Sequence, residues 1–329
     1  MHNGTPEKLI QVRGLKQYFP IKQGFFSSTK TVKAIDNISF DIFKGATFGV
    51  VGESGSGKTT LGRTLLRLVE PTAGTIQYLT TDFTKLGRKE LLKFRPKMQM
   101  VSQDPYNSLH PRKLVKSIIS EGLKIHFNLP ADVAYVRVKE ILEKVGLKEE
   151  HMFRYPHEFS GGQRQRISVA RSLVLKPEFL VLDEPTSALD VSVQAVILQM
   201  IKDLKRDYNL TYLFITHDLS VIDYIADYVA VMYLGQIMEI GPKQAVFNSA
   251  AFPYTKLLLN SVPQPDPQKK RSREIPKGEI PSPIDPPPGC RFHTRCPYVQ
   301  DLCRKQEPNM VEIGAEHFAK CHFPLIHPQ

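Results

Sequence analysis

Eight residues, Gly52-Glu53-Ser54-Gly55-Ser56-Gly57-Lys58-Thr59, set three glycines, three hydroxyls and one lysine in the spacing G-x-x-x-x-G-K-[ST]. That spacing suits a phosphate-binding loop. The glycines let backbone N–H groups approach phosphate oxygens, and a helix opening near Lys58 adds the positive end of its dipole. Lys58 is placed to reach β- and γ-phosphates, and Thr59 to hold Mg²⁺ through its hydroxyl, with Thr60 next in the same turn. Asp183-Glu184 ends the apolar run 179–182. The first carboxylate can hold the hydration shell of magnesium, and the second can orient and polarise an attacking water. A third element, Ser160-Gly161-Gly162-Gln163, stands before a helix expected over 163–175. It offers a hydroxyl, close N–H groups and a helix dipole, which makes a second anion site. Gln103 lies between the first two elements, and Thr216-His217-Asp218 follows a later strand.

The cysteines form a separate constellation. Cys290, Cys296, Cys303 and Cys321 all fall in the last 40 residues, spaced C-x5-C-x6-C and then C-x17-C. This fits neither a paired-CxxC zinc ribbon nor a bacterial ferredoxin run. Spacing alone leaves free thiols, zinc and an iron–sulfur centre open.

These residues need elements to carry them. Leu9-Ile10-Gln11-Val12 and Ile38 to Ile42 read as strands, and 47–51 as a buried strand leading into the Gly-rich loop. The helix after the loop is expected from 58 to 68, stopping near Pro71. Val115, Ile118, Ile119, Leu123, Val138, Ile141, Leu142 and Val145 recur at helical spacing, so residues 105–150 read as a helical insert. Strand 179–182, helix 191–206 and strand 211–216 restore the alternation expected of a mainly parallel sheet with crossover helices. From 262 to 289 prolines dominate, with Lys269-Lys270-Arg271 among them, which reads as an extended linker.

Length and composition set bounds. A chain of 329 residues allows one large domain and a small appendage. No apolar run reaches the roughly 18 residues of a membrane helix. Met1 to Pro6 show no basic-then-apolar signal pattern, so a cytosolic location is expected. The net charge of +11 permits an anionic partner such as nucleic acid or a membrane face, but no Lys/Arg stripe with interleaved aromatics is present, which disfavours nucleic acid.

With these residues in place, the chain resembles the ATP-binding subunit of an ABC transporter over roughly residues 8–260. Ser160-Gly161-Gly162-Gln163 is similar to the signature sequence, with Phe159 where Leu is usual. Gln103 matches the Q-loop, Ser187-Ala188-Leu189-Asp190 the D-loop and His217 the switch histidine. Tyr18 stands where the family places an adenine-stacking aromatic. The resemblance implies an α/β fold: a P-loop ABC-type ATPase with a mainly parallel core sheet, an N-terminal antiparallel β part and a helical insert over about 105–175. It implies ATP and Mg²⁺ as ligands. Gly52, Ser54, Gly55, Ser56, Gly57, Lys58, Thr59, Thr60, Gln103 and Asp183 would serve the bound nucleotide. Thr59, Gln103 and Asp183 would serve magnesium, and Glu184, His217 and Gln103 catalysis. Ser160, Gly161, Gly162, Gln163 and Asp190 would meet the nucleotide of a second, head-to-tail ATPase subunit, because one nucleotide cannot fill both anion sites of one chain.

Pro288-Gly289-Cys290-Arg291-Phe292-His293 and Arg295-Cys296-Pro297-Tyr298 resemble the C-terminal region of oligopeptide/dipeptide-type transporter ATPases. So do 103–109 and 154–159, and Asn107-Ser108-Leu109-His110-Pro111-Arg112 leans toward the F-type member of a D/F pair. That resemblance implies a [4Fe–4S] cluster on Cys290, Cys296, Cys303 and Cys321, with zinc as the alternative. His293, His317 and His322 are stand-in ligands or plain surface histidines. The implied organisation is an ATPase domain 1–261, a linker 262–289 and a four-cysteine module 290–329. The implied work is ATP hydrolysis driving peptide import, or import of nickel or another small solute. The implied partners are a second ATPase in a heterodimer, two permease subunits and, indirectly, an extracytoplasmic binding protein. The implied place is the cytoplasmic face of the plasma (inner) membrane. A soluble ABC-type ATPase with a metal- or redox-sensing tail is the rival class; a DNA- or ribosome-acting relative would need a coiled-coil insert or two fused halves, and neither is present.

Overall fold

A computed structural model describes residues 7–21, 30–261 and 278–326. The chain opens with β1 (Lys8–Ile21), β2 (Lys30–Phe43), β3 (Thr47–Val51), α1 (Lys58–Leu65), β4 (Ala73–Tyr78) and β5 (Thr81–Asp82). Then come α2 (Arg88–Phe94), β6 (Met98–Val101), α3 (Pro105–Ser108), α4 (Val115–Phe127), α5 (Ala131–Lys144) and α6 (Gly161–Leu173). β7 (Phe179–Asp183), α7 (Val191–Tyr208), β8 (Thr211–Ile215), α8 (Leu219–Ile225), β9 (Tyr228–Tyr233) and β10 (Gln236–Pro242) follow. α9 (Lys243–Asn248), α10 (Pro253–Asn260), α11 (Asp301–Lys305), β11 (Val311–Gly314) and β12 (His317–Ala319) end it. The expected signal-free N-terminus 1–6 and the basic run at 269–271 lie outside the described residues. Residues 278–289 contain no helix or strand.

The chain divides into two compact units. The first comprises 1–42, 47–84 and 215–329. It holds an N-terminal sheet in the order β2-β1-β4-β5, with β1–β4 and β4–β5 antiparallel. It also holds the run β11-β12-β10-β9-β3, in which β3 and β9 are parallel and the remaining neighbours antiparallel. β3 is buried throughout, as its uninterrupted apolar sequence requires of a central strand. α8 lies so close on β3 that a Cβ at Gly49 would stand 2.8 Å from Ile222 Cδ1. The C-terminal residues join this unit through β12, which pairs with β10 at Glu239–Ala319 and Ile240–Phe318.

The second unit comprises 43–46 and 85–214. β7 and β8 are buried along their whole length, and β6 pairs with β7 in parallel. The helices α4, α5 and α6 pack on one another. All eight apolar residues singled out at helical spacing in 115–145 are buried, from Val115 at one end to Val145 at the other. Burial of that stripe, rather than propensity, is what holds such helices.

The boundaries differ slightly from expectation. α1 ends at Leu65, three residues before the expected stop. Arg67 takes a positive φ of 51°, and Leu68 N–H turns back to the Arg63 carbonyl at 2.9 Å, which closes the helix before Pro71 is reached. α6 starts two residues earlier than expected, at Gly161, because Ser160 caps it. α7 runs on to Tyr208, where Asn209 at φ 50° ends it.

Candidate nucleotide site

The phosphate loop leaves β3 at Val51 and enters α1 at Lys58. Two of its glycines are demanded by packing. A Cβ on Gly52 would meet the Met232 carbonyl oxygen at 2.2 Å, and one on Gly57, at φ 103°, would meet that of Ala34 at 2.1 Å. Gly55 has φ 78° and open space around it. Lys58 is buried and donates its Nζ hydrogens to the carbonyls of Gly52 (2.7 Å) and Glu53 (2.9 Å). The lysine is thus held over the loop. Ser56 Oγ is buried with no hydrogen-bond partner, a donor of the kind a phosphate oxygen would satisfy. Ser54 is exposed at the loop tip, and Thr59 and Thr60 are half-buried in the first turn of α1.

The same unit carries His217 and Tyr18. His217 is exposed in the turn between β8 and α8. Thr216 Oγ1 accepts from Asp218 N–H at 3.1 Å, and Asp218 caps α8 by accepting from Ser220 N–H at 2.8 Å. Tyr18 is half-buried and donates its hydroxyl to Asp36, which Arg291 also engages. Burial, and then the bond to Asp36, push the Tyr18 phenol up to about 12, so it remains a donor. Burial alone would raise Asp36, but the Tyr18 hydroxyl and Arg291 outweigh it and hold the carboxylate below its usual range.

The second unit carries the remaining candidates. Asp183 is the buried last residue of β7. Glu184 follows at φ 46°, a left-handed conformation rare for a long side chain. Gln103 is exposed after β6 and donates from Nε2 to Glu184 Oε2 at 3.1 Å. The structure therefore brings together two residues separated by 81 positions in sequence. Ser160 and Gln163 form a reciprocal cap: Ser160 N–H donates to Gln163 Oε1 at 3.0 Å and Gln163 N–H to Ser160 Oγ at 3.4 Å. A Cβ on Gly162 would meet Val193 Cγ1 at 2.6 Å, so glycine lets α6 lie against the start of α7. Gly161 is half-buried beside Leu189. Phe159 is buried edge-on against the His151 ring at 5.4 Å; its apolar bulk, not leucine specifically, fills that place. Asp190 precedes α7 and is exposed.

The four cysteines are free thiols lining one cavity, with Phe252, Phe292 and Phe323 among its other walls. Burial pushes Cys290 up to about 12 and Cys321 up to about 11, and raises Cys296, with the neighbouring thiols adding to the shift at each. Among the described residues no group of three or more His, Cys, Asp or Glu closes around a single metal ion. The surface-histidine expectation is corrected for two residues. His293 is buried with Nδ1 on the Cys290 carbonyl at 2.8 Å, and His317 is buried with Nε2 on Glu239 at 2.8 Å. His322 is half-buried, with Nε2 2.9 Å from the Gln306 carbonyl. Each ring is thus engaged with an oxygen of the protein itself.

Sequence reasoning passed over the groups that brace the loop. Glu53 is a variable position of the motif, yet Arg295 and Tyr254 both hold it. Asp36 and Arg291 likewise back Tyr18. No local pattern marks partners that lie 242 and 255 residues apart.

Comparison with known proteins adds three findings. The family described as "ABC transporter" matches residues 35–187, and "Oligopeptide/dipeptide transporter, C-terminal region" matches 238–303. The chain is 48% identical to the oligopeptide transport ATP-binding protein AppF of Bacillus subtilis (strain 168), over 98% of this chain and 99% of that one. It is 45% identical to the dipeptide transport ATP-binding protein DppF of Escherichia coli (strain K12), over 94% and 93%. Among solved structures, MJ0796, titled a bacterial ABC transporter cassette in dimeric form, aligns with a TM-score of 0.64 at 25% identity over 71% of this chain and 98% of that one. Among the described residues no helix is long and apolar enough to cross a membrane.

Proposed function

The chain belongs to the ATP-binding subunits of ABC transporters, and from that premise we propose that its ATPase activity powers import of peptides. The observation that carries this reading is full-length similarity to oligopeptide and dipeptide transport ATP-binding proteins, including the C-terminal region characteristic of them. The expected partners are a second ATPase subunit in a heterodimer, two permeases and a substrate-loaded binding protein. The chain would work at the cytoplasmic face of the inner membrane as the F-type member of the pair.

The residue roles follow from chemistry. Backbone N–H groups of 54–59 and the Lys58 ammonium receive the phosphates. Thr59 through its hydroxyl, Asp183 through its carboxylate and Gln103 through its amide oxygen would each offer the oxygen donor that magnesium takes. Magnesium, when bound, offsets phosphate charge. Glu184 accepts a proton from the attacking water, and Gln103 steadies the carboxylate for it. His217 contacts the γ-phosphate, and Tyr18 stacks on adenine with its hydroxyl tied to Asp36. Ser160, with Gly161, Gly162 and Gln163, meets the nucleotide held by the partner ATPase, and Asp190 lines the pairing surface. The exposed apolar side chains Tyr106, Ile125, Phe127, Val136 and Phe153 suit the permease dock.

We also propose that Cys290, Cys296, Cys303 and Cys321 hold a [4Fe–4S] cluster. What supports this reading is that all four thiols line one cavity and so offer the four-cysteine donor set such a cluster takes, with zinc as the alternative. The cluster would cross-link segments that are otherwise short and largely without regular structure.

Reconstituting the chain with its permeases and partner ATPase tests the transport reading: peptide-loaded binding protein should stimulate ATP hydrolysis. No stimulation by any peptide, with stimulation by nickel or another solute, would reject it. Anaerobic purification should give about four iron and four sulfide per chain; zinc without iron would reject the cluster.

A further inference from the structure

Both polar ends of Glu53, within the phosphate loop, are held by residues from the C-terminal part of the chain. Its N–H donates to Tyr254 Oη at 2.9 Å. Its carboxylate accepts two bonds from Arg295, Nη1 to Oε2 at 2.7 Å and Nη2 to Oε1 at 3.0 Å. Arg295 Nη1 also lies 3.4 Å from Tyr233 Oη. The Arg295 side chain is 6% exposed and that of Glu53 24%. Tyr233, Tyr254 and Phe292 close the surroundings, with ring centroids 5.0–5.2 Å apart in successive pairs.

An exposed pair of this kind would contribute little. A sheltered, bidentate one fixes direction as well as distance, because the guanidinium fork matches the two carboxylate oxygens. Glu53 is also no bystander in the loop. Its carbonyl and that of Gly52 receive the Lys58 ammonium. Holding Glu53 at both ends therefore holds the carbonyls that aim Lys58. Arg295 has a second effect. It neutralises a carboxylate that belongs to a loop built to receive anions, and an uncompensated charge there would repel the incoming phosphates.

We propose that Arg295 is a positioning residue for the phosphate loop. Through Glu53 it sets the loop to receive ATP, so nucleotide affinity depends on the Arg295–Glu53 contact itself rather than on the seating of the cysteine-bearing segment at large. This rests on residues 52–59 being the phosphate loop, which Lys58→Ala tests separately.

The experiment measures equilibrium binding of Mg·ATP to the full chain, together with KM and kcat of the chain paired with its partner ATPase. Arg295→Ala should raise Kd and KM by about 10- to 100-fold, the range for a lost charge-assisted bond, while kcat changes little. Arg295→Lys, which keeps the charge but loses the fork, should fall between wild type and alanine. Adding Glu53→Gln to Arg295→Ala should recover much of the affinity, since it removes the stranded charge. His317→Ala loosens the same segment at Glu239 without touching Glu53, and should leave Kd within about twofold. Wild-type affinity in Arg295→Ala would overturn the proposal. So would an equal loss in His317→Ala, or no recovery in the double variant. If Arg295→Ala does not fold, Arg295→Lys decides: unchanged Kd overturns the proposal. Loss of binding in Lys58→Ala beside normal binding in Arg295→Ala would reject the positioning role alone, whereas normal binding in Lys58→Ala would reject the loop assignment itself.

Discussion

Glu184 combines two features that are uncommon in one residue. It sits at φ 46°, where a Cβ-bearing residue pays a conformational penalty, and its carboxylate is bonded by Gln103. Residues held in such regions cost on the order of 1–3 kcal/mol and persist where the surroundings over-determine them. Here the turn that follows supplies the constraint: the Glu184 carbonyl accepts from Ser187 N–H at 3.3 Å and Ser187 Oγ at 3.1 Å. The side chain is thereby aimed, and the charge is what remains to be tested. Glu184→Gln preserves shape and the bond to Gln103 while removing the base. It should retain ATP affinity and lower turnover by on the order of 10² to 10⁴. Steady-state phosphate release alongside nucleotide binding checks this, and full activity would remove Glu184 from the role of base.

Elements explain why some of this was legible in the sequence and some was not. The insert helices announce themselves because α4 and α5 each bury one stripe, and a stripe at helical spacing needs no knowledge of the partner. The phosphate loop is legible because Gly52 and Gly57 answer to hard steric limits. The seating of the C-terminal segment is not. It depends on Phe292 entering a ring cluster with Tyr233, Phe252 and Tyr254, and on Arg291 meeting Asp36. Each partner looks ordinary in its own stretch. The Asp36 contact carries a pH signature. Its carboxyl is held below the usual range, so the fold favours the charged form. That stabilisation is fully present above the unfolded carboxyl value of about 4 and is lost as pH falls through the lower folded value. Acid should therefore loosen this segment, and Asp36→Asn should flatten the acid side of the stability curve. Thermal unfolding between neutral and acidic pH measures it. An unchanged acid slope in Asp36→Asn would show that the Arg291 contact contributes nothing to it.

At the scale of the whole molecule, one chain supplies one phosphate loop and one Ser-Gly-Gly-Gln cap. Under the proposed head-to-tail pairing, every complete site then draws on two chains. Charge bears on which two. Each copy carries +11, so two copies of this chain brought together repel over a range set by the ionic strength. Bound Mg·ATP removes part of that charge at the contact and leaves most of it elsewhere. A partner ATPase of lower net charge avoids the penalty, which favours a heterodimer on physical grounds. The Glu184→Gln variant, holding ATP without consuming it, isolates the pairing step. Alone at low salt it should remain mostly monomeric with ATP, and its self-association should rise as salt screens the repulsion. Mixed with its partner ATPase, it should pair at low salt. Sedimentation across a salt series measures both. Tight self-pairing at low salt would mean that local complementarity at the cap and loop outweighs net charge, and the electrostatic argument for a heterodimer would fall.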